Sequence, residues 1–202
     1  MQGEVRMKVS VFGGSQPKED SQAYADAQDL GGMLARQGHT VLTGGYTGTM
    51  EAVSRGAAMA GGCVIGVTCE EIGRWHGRSA NQWVTEEWKK KTLLERLQTL
   101  IELSDAALAL PGGPGTLTEI ALTWNLMIVG SLRRRPLILV GEAWHRVWDA
   151  FYSQLADYTP SPQRELLSFA ATPLTAVEML TRMSMYTKGE HDPHGGHDSA
   201  LS

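Results

Sequence analysis

The segment Pro111-Gly112-Gly113-Pro114-Gly115-Thr116-Leu117-Thr118-Glu119 carries more chemistry than any other stretch of the chain. Glycines let backbone N–H groups approach a ligand closely. A threonine hydroxyl can bind phosphate, and a glutamate one helical turn later can face the same pocket. The T-x-x-E spacing of Thr116 and Glu119 also describes a helix capping box, in which both side chains would only close a helix end. Spacing alone leaves both readings open. Two further clusters, Gly13-Gly14-Ser15 and Gly44-Gly45 with Thr47-Gly48, have the same look. Each follows an apolar run and precedes a helical pattern. A helix starting at such a loop offers free N–H groups and a positive dipole end, so phosphate is the leading ligand group.

The elements that must position these loops alternate along the chain. Strands are expected at Val9–Phe12, Thr40–Thr43, Cys63–Val67, Ala106–Leu110, Pro136–Val140 and Leu167–Ala170. Between them, apolar spacing predicts helices over Asp20–Arg36, Gly48–Met59, Lys89–Leu103, Thr116–Val129, Ala143–Leu155 and Leu174–Met183. Residues 69–88 show no clear period. Strands separated by helices imply right-handed crossovers and a doubly wound α/β fold: a Rossmann-like parallel sheet with helices on both faces. In such sheets ligands bind at the carboxyl ends of the strands, where all three glycine clusters fall. One domain is expected over 1–187, with 188–202 a disordered tail carrying His191, His194 and His197.

Composition narrows the partners. The 202 residues include 23 glycines, well above the usual ~7 %. The net charge of −4 argues against a nucleic-acid binder, which normally presents a basic face. No apolar run reaches the ~18 residues of a membrane span. The start, Met-Gln-Gly-Glu-Val-Arg-Met-Lys, lacks the apolar stretch of a signal peptide. A cytoplasmic protein is therefore expected, with Cys63 and Cys69 as free thiols.

The standard nucleotide fingerprints are absent. No GxxxxGK[ST] occurs, and Gly113-Pro114-Gly115 continues into Thr116-Leu117-Thr118, which breaks the dinucleotide pattern. Pyridoxal chemistry needs a lysine near a phosphate cradle. None of Lys8, Lys18, Lys89, Lys90, Lys91 and Lys188 lies just after a strand in a glycine-rich loop. Neither a cofactor nor a metal is expected.

The run PGGPGTLTE at 111–119 resembles the PGGxGTxxE motif of the Lonely guy family, whose members are often mislabelled lysine decarboxylases. VSVFGGS at 9–15, LTGGYTGTMEAVSRGA at 42–57 and GGCVIGV at 61–67 are similar to that family's first strand and turn, second glycine loop and helix, and next strand. The resemblance spans residues 7–140 and implies a Rossmann-like dimer or higher homo-oligomer. It implies cleavage of the N-glycosidic bond of a cytokinin riboside 5′-monophosphate, or of AMP, releasing base and ribose 5-phosphate. It also implies a catalytic pair, Glu119 of the motif and Arg96 of the preceding helix. The phosphate and substrate would be held by Gly14, Ser15, Gly44, Gly45, Thr47, Gly48, Gly112, Gly113, Gly115 and Thr116. The family carries a lysine after its arginine, where this chain has Leu97. Thr68-Cys69 stands where proline and lysine are common. Molybdenum-cofactor carrier proteins resemble the chain in fold and glycine motif, so a non-catalytic nucleotide-type binder is the alternative.

The remaining conspicuous residues have plainer explanations. Lys89-Lys90-Lys91 is expected to open a helix and present a solvated charged face after Glu86 and Glu87. Arg133-Arg134-Arg135 reads as a solvent loop. Trp124, and Trp144 with Trp148 at i and i+4, read as packing residues. His76 and His145 have no partner at ligand spacing.

Overall fold

The computed structural model describes residues 6–76 and 79–189. Seven strands form one wholly parallel sheet: β1 (Lys8–Phe12), β2 (Thr40–Thr43), β3 (Val64–Cys69), β4 (Glu86–Lys90), β5 (Ala106–Ala109), β6 (Leu137–Val140) and β7 (Ser168–Ala170). Their spatial order is β4-β3-β2-β1-β5-β6-β7. The helices are α1 (Gln22–Arg36), α2 (Thr49–Met59), α3 (Glu70–His76), α4 (Leu93–Glu102), α5 (Pro114–Ile128), α6 (Glu142–Gln154), the short α7 (Ser161–Arg164) and α8 (Pro173–Gly189). This is the doubly wound, Rossmann-like architecture expected from the alternating pattern. No helix among the described residues is long and apolar enough to cross a membrane.

The strands are apolar on both faces because both are covered, as a parallel sheet requires. Successive side chains alternate between two cores. Val9, Val11, Val41, Leu108, Ile138 and Val140 pack with α1, α2 and α8. Phe12, Leu42, Ala107, Ala109, Leu137 and Leu139 pack with α4, α5 and α6. The second core contains the expected packing tryptophans. Trp144 and Trp148 meet edge to face at 6.0 Å, and the Trp124 indole donates to the Gln163 carbonyl at 2.7 Å. Cys63 and Cys69 are free thiols.

The greatest departure from expectation lies in residues 69–92. Lys89 and Lys90 belong to strand β4, pairing in parallel with Thr68 and Cys69 of β3; they do not open a helix. Helix α4 starts only at Leu93, where Thr92 and Glu95 form a reciprocal capping box. The charges that hid the strand suit its place at the sheet edge, where they discourage further pairing. Glu86, Glu87 and Lys89 are exposed there. The unperiodic stretch before β4 holds a second unforeseen element, α3. The arginine run is also not wholly solvent-facing. Arg135 is half-buried and donates to the carbonyls of Ile101 and Ser104, while Arg133 pairs with Asp105 at 2.9 Å. Helix α8 continues past Met183 through Lys188 and Gly189, the start of the expected tail. The rest of that tail, with its three histidines, lies outside the described residues.

Helices α1 and α2 cross so closely that their contact is backbone on backbone. A methyl group on Gly56 would overlap the Gln28 carbonyl, and one on Gly31 the Val53 carbonyl. Overpacking of this kind costs about 1–3 kcal/mol. Gly56→Ala should therefore lower the unfolding free energy by about 1–3 kcal/mol in denaturant titration. Gly61→Ala, where nothing lies within 4 Å of the new methyl but φ is +77°, tests backbone strain alone.

Candidate active site

The chain leaves β1 toward β2 and returns, after β4, to lay β5 on the other side of β1. This reversal opens a crevice at the carboxyl ends of β1 and β5, the usual ligand position in such sheets. Two glycine loops flank it in contact. The Gly14 N–H donates to the Pro111 carbonyl at 3.2 Å, and a Cβ on Gly112 would stand 2.9 Å from the Gly14 nitrogen. The third loop is tied to the first by the Thr49 N–H, which donates to the Gly14 carbonyl at 2.9 Å. Gly45 and Gly48 of that loop have φ of +76° and +71°, a region that β-carbon-bearing residues adopt only with strain.

These loops enclose a cleft of ≈ 330 Å³ lined by Gly13, Gly14, Ser15, Gln16, Tyr46, Met50, Ile72, Arg96, Gly113, Pro114, Gly115, Thr116 and Glu119. Of the sequence-predicted residues, the structure brings together Gly14, Ser15, Arg96, Gly113, Gly115, Thr116 and Glu119 in its wall. Gly44, Gly45, Thr47, Gly48 and Gly112 stand behind them, shaping the loops without lining the cleft. Tyr46, Met50 and Ile72 were not foreseen. Tyr46 could have been noticed as the one aromatic residue in a glycine loop; Ile72 could not, because α3 has no sequence period.

The start of α5 removes the capping-box reading of Thr116 and Glu119. Its N-cap is Gly113, with Pro114 in the first turn and no side-chain cap bond. Thr116 thus sits within the first turn, and Glu119 is not at the capping position. The N–H groups of Gly115 and Thr116 have no partner inside the helix, and they open onto the cleft together with the positive end of a fifteen-residue helix.

Glu119 is 7 % exposed, and among the described residues nothing donates a hydrogen bond to its carboxyl group. Burial pushes its pKa up to about 7, against the opposing pull of the Arg96 guanidinium. Arg96, 6 % exposed, does not pair with Glu119 directly. Its Nε donates to the Val67 carbonyl at 2.8 Å, its Nη2 lies 3.8 Å from the Met50 sulfur, and its guanidinium stands 5.6 Å over the Tyr46 ring. Gly44 has no side chain because the guanidinium occupies that space. Leu97 is buried and takes no part in the cleft wall.

The crevice at the switch point thus holds one buried Arg and one buried Glu, and comparison with known proteins places the chain in a family. The model of the SLOG cluster4 family matches residues 6–161. The chain belongs to that family. Its relatives include the cytokinin riboside 5′-monophosphate phosphoribohydrolase of Rhodococcoides fascians, 29 % identical over 153 residues, covering 74 % of this chain and 72 % of that one. A probable cytokinin riboside 5′-monophosphate phosphoribohydrolase of Oryza sativa subsp. japonica is 29 % identical over 191 residues, covering 92 % and 74 %. Among solved structures, the molybdenum cofactor binding protein of Rippkaea orientalis superposes with a TM-score of 0.70 at 23 % identity, covering 89 % of this chain and 98 % of that one. At that identity the last likeness shows the fold alone. The resemblance to the Lonely guy family seen in the glycine loops is thereby supported along most of the chain.

The raised pKa has a consequence for stability that needs no ligand. The folded state holds Glu119 protonated up to about pH 7, whereas the unfolded carboxyl ionises near 4.5. Stability from this group is therefore full below about pH 4.5 and falls as pH rises to 7, by about 3 kcal/mol in all. Glu119→Gln, neutral throughout, should be more stable than the wild type by up to about 3 kcal/mol at pH 8, the gap closing below pH 5. Urea unfolding at the two pH values reads this directly.

Proposed function

We propose that this protein hydrolyses the N-glycosidic bond of a purine nucleoside 5′-monophosphate. The observation that carries the reading is a buried carboxyl, titrating near neutrality, in the same cleft as the free N–H groups of α5. The names of the relatives in Rhodococcoides fascians and Oryza sativa support it.

In this reading the 5′-phosphate sits on the N–H groups of Gly115 and Thr116, with the hydroxyls of Ser15 and Thr116 beside it. The ribose then lies toward Glu119, and the base toward Tyr46, Met50 and Ile72. As the C1′–N bond stretches, positive charge grows on C1′ and the ring oxygen, and the ionised Glu119 carboxylate stabilises it. Water attacks C1′. Its oxygen forms the new C1′–O bond, the electron pair of the broken bond leaves with the base, and the base nitrogen ends with the proton lost by the water. Arg96 offers a fixed positive group to the substrate from the cleft floor.

A homodimer or higher oligomer is part of the proposal. Leu94 of α4 is 74 % exposed, and Leu93 and Leu117 are also solvent-facing, an apolar set that a second copy would cover. Light scattering on the purified protein reports the assembly.

Incubation with AMP and with isopentenyladenosine monophosphate should release free base, detected by chromatography. Glu119→Gln should fold yet lose ~10²–10⁴-fold in rate. The wild-type rate should climb as pH rises through about 7, where Glu119 ionises, and that dependence should vanish in the variant. Binding of AMP without release of base would favour the carrier-type alternative.

A further inference from the structure

Arg96 is held by a set of contacts that one residue organises. Tyr46 is 4 % exposed and follows directly on Gly44-Gly45. Its hydroxyl donates to the Cys69 carbonyl and accepts from the Cys69 N–H, each at 3.0 Å. A phenol bonded twice to one main-chain residue cannot swing, so the ring face is fixed relative to β3. The loop that carries it is fixed too. The Asn81 side-chain amide donates to the carbonyls of Gly45 and Tyr46 at 3.1 and 3.0 Å, and the Asn81 N–H donates to the Gly45 carbonyl at 2.8 Å. Against that ring lies the Arg96 guanidinium, at 5.6 Å. The Val67 carbonyl holds Nε from the same strand that anchors the phenol.

An arginine has several rotatable bonds, and the bond from Nε to Val67 with the weak contact of Nη2 to the flexible Met50 sulfur leaves the guanidinium plane free to turn. The ring supplies a further constraint through cation–π attraction, which is stronger where water is excluded. We infer that Tyr46 is a positioning residue: pinned to the Cys69 main chain, its ring holds the Arg96 guanidinium in the one orientation that faces the cleft. The anchoring strand, the glycine loop and the arginine then act as one rigid unit, which limits the entropy lost when a ligand is bound.

The test has a ligand-free arm and a ligand arm, and only the second rests on the proposed function. In the ligand-free protein, the Arg96 Nε–H is protected from solvent exchange by its bond to Val67, measurable by nitrogen-15 NMR. Tyr46→Leu should speed that exchange about tenfold or more, the size expected when a contact of this class is lost. In the second arm, calorimetric titration with AMP should show Kd rising about tenfold for Tyr46→Leu. In an Arg96→Ala background the same substitution should change Kd by less than about twofold, because Tyr46 acts through Arg96. Equal losses in both backgrounds, or unchanged exchange in a folded Tyr46→Leu protein, would overturn the inference. Faster exchange in a wild-type protein that fails to bind AMP would uphold the positioning role and sink the proposed substrate. If Tyr46→Leu does not fold, Tyr46→Phe carries the test. It keeps the ring, loses both bonds to Cys69, and should speed exchange about threefold; no change would overturn the inference.

Discussion

The constraint on which the rest of this structure depends is the approach of two backbone loops at the carboxyl ends of β1 and β5. The Gly14 N–H reaches the Pro111 carbonyl, and a side chain on Gly112 would collide with the Gly14 nitrogen and with Thr116. Strand order decides that these loops meet at all, since β5 returns to the flank of β1. The contact brings the start of α5 against the first loop, and the Gly14 carbonyl then fixes the start of α2 through Thr49. Two helix starts and three loops are thereby held by main-chain bonds. Main chain is exposed in that wall at Gly13, Gly14, Gly113 and Gly115, which suits it to a small charged ligand.

Within that wall, the chemistry sits in a conflict between burial and charge. Glu119 is removed from water and is not repaid by a direct partner, so its carboxyl stays neutral to about pH 7. A surface position would ionise it fully and stabilise the fold, but would also surround it with competing water. Destabilised groups of this kind belong to functional sites more often than to structural ones. Arg96 is treated in the opposite manner, with its guanidinium engaged by a carbonyl, a sulfur and an aromatic ring. Of the two buried groups, the arginine is firmly held and the glutamate is without a hydrogen-bond donor among the described residues.

Much of this was legible in the residues. Alternating β-branched runs and helical spacing were enough to give the parallel sheet, because a sheet buried on both faces leaves a continuous apolar signal in each strand. The three glycine loops were legible because crowding excludes a side chain at Gly13, Gly44, Gly48 and Gly112. Arg96 and Glu119 came from resemblance, since T-x-x-E spacing by itself also describes a cap. Residues 69–92 resisted for a physical reason. Strand β4 pairs on one side only, so Glu86, Glu87 and Lys89 can face solvent and erase the periodic signal. With β4 misread, α3 had no frame, and Ile72 could not be placed in the cleft. The role of Tyr46 was hidden because its partners at Cys69, Asn81 and Arg96 are remote in sequence and meet only through the crossovers.

The charges of β4 also set how molecules of this chain can meet. A sheet edge left bare is an adhesive surface, ready to extend into a neighbour's sheet without regard to partner or order. Here that edge presents Glu86, Glu87 and Lys89 to solvent, charges that a neighbouring strand would have to strip of water before it could pair. Growth by strand addition is thus discouraged on this side, and encounters are left to the helical faces, where shape decides which surfaces fit. An irregular, unreadable stretch of sequence is in this sense a safeguard against fibrous association.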